Sequence, residues 1–198
     1  MKRKALIISI KGLKLSKKEK FLLSKEKPWG IILFKRNLET VSQIKHLTSN
    51  IKKITRDKKF PIIIDEEGKN VSRLTKIINH SISSNYFGNL YKINKILCVK
   101  LLSHYIYSLS KILKELGINI STIPVLDVLR KNTNKIIGNR SYSNDKKIIK
   151  ELGKFTIKYL HLNGVGGVIK HIPGHGPSKS DSHKVMPKVL LSKKKLEK

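Results

Sequence analysis

The densest run of reactive side chains is "KHIPGHGPSKSDSH", from Lys170 to His183. It holds three histidines, one aspartate, two glycines and two prolines within fourteen residues. Asp181 and His183 stand two positions apart, and in an extended segment residues i and i+2 share a face. The carboxylate can then accept an N–H from the imidazole, fixing its tautomer and favouring the protonated ring. That suits a general acid/base near neutral pH. A solvated loop pair has the same spacing, so this pair alone does not choose. Lys170 and His171 directly follow the apolar run "GVGGVI". A cation and an imidazole at a strand end can grip several hydroxyls or an anionic group. His171 and His175 have the spacing of helical metal ligands, but Pro173-Gly174 breaks such a helix. "GHGPSKS" lacks the spacing of a Walker-type phosphate loop. Neither a metal nor a cofactor is expected.

A second cluster is Asp65-Glu66-Glu67-Gly68, notable in a chain with only 13 acidic residues. Burying carboxylates is costly unless polar partners meet them. Arg73 and Arg140 are two of only six arginines among 43 basic residues. The guanidinium's planar fork makes fixed bidentate contacts that lysine does not copy. Ordinary salt bridges would also account for them.

Short Ile/Val-rich runs alternate with helical patterns. Strands are expected at Ala5–Ile10, Gly30–Phe34, Phe60–Ile64, Ile118–Val125 and Val165–Ile169, nearly continuous in apolar character as strands covered on both faces are. Ser16-Lys17-Lys18-Glu19 has the form of a capping box. Val41, Ile44, Leu47, Ile51 and Ile54 recur at helical spacing. A long helix is expected from about Leu90 to Leu116, stopped by Gly117, and another through Ile148, Leu152, Phe155 and Tyr159, closed by Gly164. Strand–helix alternation with parallel crossovers indicates an α/β fold. The polar clusters Lys35-Arg36-Asn37, Asp65-Glu66-Glu67, Asp127 and Lys170-His171 all follow strands, where α/β barrels and open α/β sheets build their sites.

The 198 residues, 39% of them hydrophobic, suit a single domain over 1–198. The one cysteine, Cys98, allows no internal disulfide and reads as a small core residue. The apolar run Ala5–Ile10 is too short for a signal peptide, and no stretch reads as a membrane span. A cytoplasmic protein without a membrane partner is expected. The net charge of +30 raises nucleic acid. The lysines, however, are scattered over every element in a chain also rich in Ile and Asn, a compositional bias that binds polyanions weakly. No specific nucleic-acid partner is expected.

"GIILFKRN", "IIIDEEGKNVSRL", "IPVLDV", "IIGNRSYSND" and "KHIPGHGPSKSDSH", in that order, resemble the bacterial β-N-acetylglucosaminidases of glycoside hydrolase family three. The match runs from about Gly30 to Pro187. The resemblance implies an (α/β)₈ barrel, here truncated after about five strands, that removes terminal β-N-acetylglucosamine from peptidoglycan fragments by a retaining mechanism. It implies Asp181 and His183 as an acid/base dyad on a mobile loop. Asp65, Arg73, Arg140, Lys170 and His171 match positions that hold the sugar, so the partner is an N-acetylglucosamine-containing saccharide. Two departures stand out. Lys69-Asn70 replaces the family's Gly-Arg, and the aspartate nucleophile, expected on a strand beyond the dyad, has no counterpart before Lys198. A downstream fragment completing the barrel is therefore an expected partner. A catalytically dead sugar-binding remnant and a basic nucleic-acid-associated protein remain alternative readings.

Overall fold

The computed structural model describes residues 3–131, 133–178, 185, 186, 188, 189, 192 and 193. Five strands, β1 (Lys4–Ser9), β2 (Pro28–Leu33), β3 (Ile62–Ile64), β4 (Ile120–Ser121) and β5 (Gly166–Gly167), pair in parallel in sequence order. Helix α1 (Lys17–Lys25) connects β1 to β2, and α2 (Val41–Thr55) connects β2 to β3. Helices α3 (Ser84–Ile93) and α4 (Lys95–Glu115) lie between β3 and β4, and α5 (Lys146–Leu162) precedes β5. A parallel sheet that adds one neighbour per strand–helix unit is the construction of an (α/β)₈ barrel, five strands of which lie among the described residues.

Ile62, Ile63 and Ile64 are all buried, because one face of the sheet meets the helices and the other the barrel interior. Ile44, Leu47 and Ile51 of α2 join Leu102, Ile106, Leu109 and Leu113 of α4 and Leu152 and Leu160 of α5 in one continuous core. Among the described helices, α4 is long and apolar enough to cross a membrane by length and composition. Its lysines at 95, 100, 111 and 114 interrupt the apolar run, and its Leu102 face lies inside the core.

Local signals set the helix ends. Ser16 accepts from the Glu19 amide while Glu19 accepts from the Ser16 amide, a complete capping box on α1. Gly117 (φ 75°) and Gly164 (φ 70°) follow α4 and α5 in the left-handed region that side chains avoid. One helical expectation needs correction. The periodic stretch from about Leu90 contains two helices, broken at Asn94. That residue is extended (φ −147°, ψ 98°), and its side chain accepts from the Leu97 amide to cap α4. Strands β3, β4 and β5 are also shorter than expected, whereas β1 and β2 run six residues each and start earlier than expected. Pro61 and Pro124 lack the amide that a ladder needs, so β3 begins at Ile62 and regular β4 ends at Ser121. Extended pairing resumes beyond Pro124, where the Leu126 amide donates to Lys170 O at 2.8 Å.

Candidate active site

Asp65, Glu66 and Glu67 continue β3 at its C-terminal end. The chain then turns at Gly68 (φ 123°), where a Cβ would lie 2.6 Å from the Ile82 carbonyl oxygen. The Glu67 amide donates to Val71 O at 2.8 Å across this turn. The return brings Arg73 back to Asp65, with Arg73 Nη2 3.1 Å from Asp65 Oδ2. Thr122, just past β4, donates to Asp65 Oδ1 at 2.6 Å. Lys170 reaches across from beyond β5, donating to Thr122 Oγ1 at 2.7 Å, lying 3.4 Å from Asp65 Oδ1 and pairing closely with Glu67. Arg140, at the end of the 3₁₀ turn Gly138–Arg140, grips Glu67 with both arms, Nε to Oε2 at 2.7 Å and Nη2 to Oε1 at 3.0 Å. This is the bidentate fork that a lysine would not reproduce.

His171 follows Lys170 across a cis peptide bond. Its Nδ1 lies 2.5 Å from Asp127 Oδ2, and its Nε2 lies 3.4 Å from Arg140 Nη2. A carboxylate only accepts, so Nδ1 carries a proton toward Asp127 and the other ring nitrogen faces the cavity wall. The other Asp127 oxygen accepts the His175 amide. Burial pushes the Asp127 carboxyl up, but the His171 hydrogen bond, the His175 amide and the His171 charge outweigh it and leave the group below its ordinary value. Asp65 behaves alike: burial raises it, and Thr122, Lys170 and Arg73 more than offset that. Both carboxylates are therefore held ionised at neutral pH.

These side chains line a cavity of about 590 Å³ at the C-terminal ends of the strands, which takes in Asp65, Arg73, Arg140, Lys170 and His171. All five sugar-holding candidates among the described residues thus meet in one place. Asp181 and His183 lie outside the described residues. Asn70, where the resembled family has arginine, lines the same cavity. Two other hollows of about 600 Å³ lie elsewhere. One, at the C-terminal ends of α2 and α4, is lined chiefly by lysines, and the other is an apolar trough along α5. Neither combines carboxylates, cations and an imidazole at the strand C-termini. Among the described residues, no three His, Cys, Asp or Glu side chains gather as a metal site.

The loop after Lys170 is anchored as far as Ser178. A Cβ on Gly176 would lie 2.1 Å from the Val128 carbonyl oxygen, so this glycine permits a close backbone approach. Thr133 donates to Gly176 O at 2.6 Å, and the Ser178 amide donates to His175 O at 3.1 Å. Arg73 Nε and both ring nitrogens of His175 are buried without a partner, which leaves hydrogen-bonding capacity unspent at the cavity wall.

The sequence does not single out Thr122, marks His175 only through the rejected metal spacing, and shows Glu67 and Asp127 only as members of polar clusters. Glu67 is marked in the sequence only by the scarcity of acids, which does not separate it from Asp65 and Glu66. Thr122 carries no local signal, because its role depends on Asp65 and Lys170 arriving from other strands.

The arrangement offers paired acceptors and donors at fixed spacing, as recognition of vicinal hydroxyls requires. Known proteins share the fold that carries this site. A NagZ crystal structure from Neisseria gonorrhoeae superposes with a TM-score of 0.90 and 30% identity, over 98% of this chain and 57% of that one. A β-hexosaminidase from Neisseria meningitidis is 31% identical over 98% of this chain and 54% of its own length. One from Xanthomonas campestris is 28% identical over 90% and 53%. The chain spans about half the length of the curated relatives it matches. The model of the glycosyl hydrolase family 3 N-terminal domain matches residues 2–198, and the chain belongs to that family.

Proposed function

We propose that this chain carries the non-reducing-end N-acetylglucosamine subsite and the acid/base loop of a retaining β-N-acetylhexosaminidase. The convergence of Asp65, Arg73, Arg140, Lys170 and His171 on one cavity carries the reading. In it, Asp65 accepts from sugar hydroxyls while Arg73, Arg140, Lys170 and His171 donate or counterbalance charge. His183 protonates the leaving oxygen and then activates water, and Asp181 orients it. A structure of the Neisseria gonorrhoeae NagZ in complex with N-trifluoroacetyl-D-glucosamine supports the choice of sugar. The finer reading is a cytoplasmic enzyme trimming peptidoglycan fragments.

A retaining mechanism also needs a carboxylate that attacks the anomeric carbon. Every described cavity carboxylate is engaged already: Asp65 with Arg73 and Lys170, and Glu67 with Arg140 and Lys170. Asp127 is likewise engaged, with His171. None of these is free to act, so in this reading the attacking carboxylate comes from outside the described residues. The second reading, sugar binding without turnover, rests on this same pairing. Titration of the ¹⁵N-labelled chain with N-acetylglucosamine tests the site. Saturable shifts at Asp65, Lys170 and His171 that vanish in Asp65→Ala are expected, and no binding at millimolar sugar would overturn the reading. A p-nitrophenyl N-acetylglucosaminide assay, with His183→Ala as control, tests the chemistry. Little turnover is expected from this chain alone, and robust turnover lost in His183→Ala would show that the nucleophile lies within it.

A further inference from the structure

Behind the cavity wall lies a second polar cluster that no sugar contact explains. Glu66, between Asp65 and Glu67, points away from the cavity, and its side chain is fully buried. Its Oε2 accepts two backbone amides, from Arg73 at 2.9 Å and from Leu74 at 3.0 Å. Its Oε1 lies 2.9 Å from His80 Nε2, and His80 Nδ1 lies 3.3 Å from the Tyr105 hydroxyl on α4. The Oε1–Nε2 approach is off the hydrogen-bonding line, and each of these two buried atoms has no hydrogen-bond partner.

We propose that Glu66 is the positioning residue for Arg73, with His80 and Tyr105 as its support from α4. A carboxylate that accepts consecutive amides fixes the backbone at the point where the chain returns from the Gly68 turn. Arg73 is thereby held where its Nη2 lies 3.1 Å from Asp65 Oδ2. The chemistry of the support is directional. Glu66 only accepts, so the neutral His80 tautomer that suits it carries its proton on Nε2 and leaves Nδ1 as an acceptor. Tyr105 meets that need by donating. Burial, with the nearby Glu66 charge, pushes its hydroxyl well above the ordinary range, so it stays protonated. The series Tyr105–His80–Glu66 thus ends on the two amides that set Arg73.

The ligand arm of the test rests on the saccharide-binding reading above, and the structural arm does not. Amide hydrogen exchange is measured on the full chain, the wild type beside Glu66→Ala and Glu66→Gln. Glu66→Ala is expected to speed exchange at Arg73 and Leu74 about tenfold or more while leaving Leu109 and Leu113 unchanged. Glu66→Gln, which keeps one acceptor oxygen, is expected to restore most of the protection. N-acetylglucosamine affinity should fall about tenfold in Glu66→Ala and recover in Glu66→Gln. Unchanged exchange at Arg73 and Leu74 in Glu66→Ala would overturn the assignment. Absence of sugar binding in the wild type would defeat the saccharide reading and leave the exchange result to decide this one. Should both variants fail to fold, ¹⁵N shifts of the wild-type His80 ring decide it. A proton on Nε2 with Nδ1 accepting supports the series, and the opposite tautomer refutes it.

Discussion

Four of the chain's 13 acids, Asp65, Glu66, Glu67 and Asp127, stand at the C-terminal ends of β3 and β4, and each is met by a fixed partner. Glu67 shows what such burial demands. Its side chain is 2% exposed and takes Arg140 and Lys170 together, because one buried carboxylate without a counter-charge would be strongly disfavoured. Arg140→Ala is expected to cost about 3 kcal/mol, the low end of the range for breaking a buried pair, since Lys170 still faces Glu67. Arg140→Lys should recover only part of this, because it cannot supply the fork. Denaturant unfolding of the two variants checks both values. Asp127 predicts a pH effect. Its folded-state value lies below the ordinary one, so its contribution is fully present above the unfolded value of about 3.9 and is lost as pH falls through the folded value. The stability gap between wild type and Asp127→Asn should therefore be constant above about pH 5 and narrow below about pH 4. A gap that persists unchanged to about pH 3 would disprove the linkage. Asp65, Arg73 and Arg140 could be read from the sequence because acids and arginines are scarce in it. The Asp127–His171 pair could not be read from spacing, since 44 residues separate partners that only the β4–β5 pairing brings together.

At the scale of elements, the sequence is most legible where a local rule decides the outcome. The capping box at Ser16 and the glycines at 117 and 164 need only their neighbours to act, and the structure uses all three as punctuation. The break at Asn94 is equally local, yet apolar periodicity conceals it. Leu90 and Tyr91 before it, and Cys98 and Leu102 after it, all pack on the same core, so the hydrophobic stripe runs unbroken through a cap. Asn94→Ala removes the acceptor for the Leu97 amide and should destabilise the chain by about 1 kcal/mol, with Asn94→Ser or Asn94→Asp near neutral. A thermal-unfolding series over the three variants measures this. A neutral Asn94→Ala would mean that α3 and α4 hold together by packing alone. Strand ends were the least legible, because ladder length depends on where prolines fall in two neighbouring strands.

Across the whole molecule, charge and site are kept apart. The surface carries most of the 43 basic residues behind the net charge of +30. In the cavity, by contrast, Arg73, Arg140 and Lys170 face Asp65 and Glu67 in near balance. A polyanion thus meets a diffuse cationic shell, while a neutral sugar meets a locally compensated pocket. Long-range attraction without arranged contacts gives binding that follows salt and ignores sequence. Base recognition would need arginine forks on base edges or aromatic platforms. Of the six arginines, Arg3 and Arg73 are tied to aspartates and Arg140 to Glu67, and Arg36 is turned inward to Ile10 O and Ser9 Oγ. Among the described residues, Arg56 and Arg130 show no such side-chain tie, and two arginines are too few to read bases. Fluorescence anisotropy with two unrelated DNA duplexes should therefore give equal affinities, no tighter than about micromolar near physiological salt, with log K falling linearly against log salt. Added N-acetylglucosamine should leave those affinities unchanged, because on the proposed reading the sugar would occupy the cavity and the polyanion the lysine-rich surface. A nanomolar preference for one duplex, or competition by the sugar, would contradict this separation and return the lysine-rich surface to the centre of the protein's function.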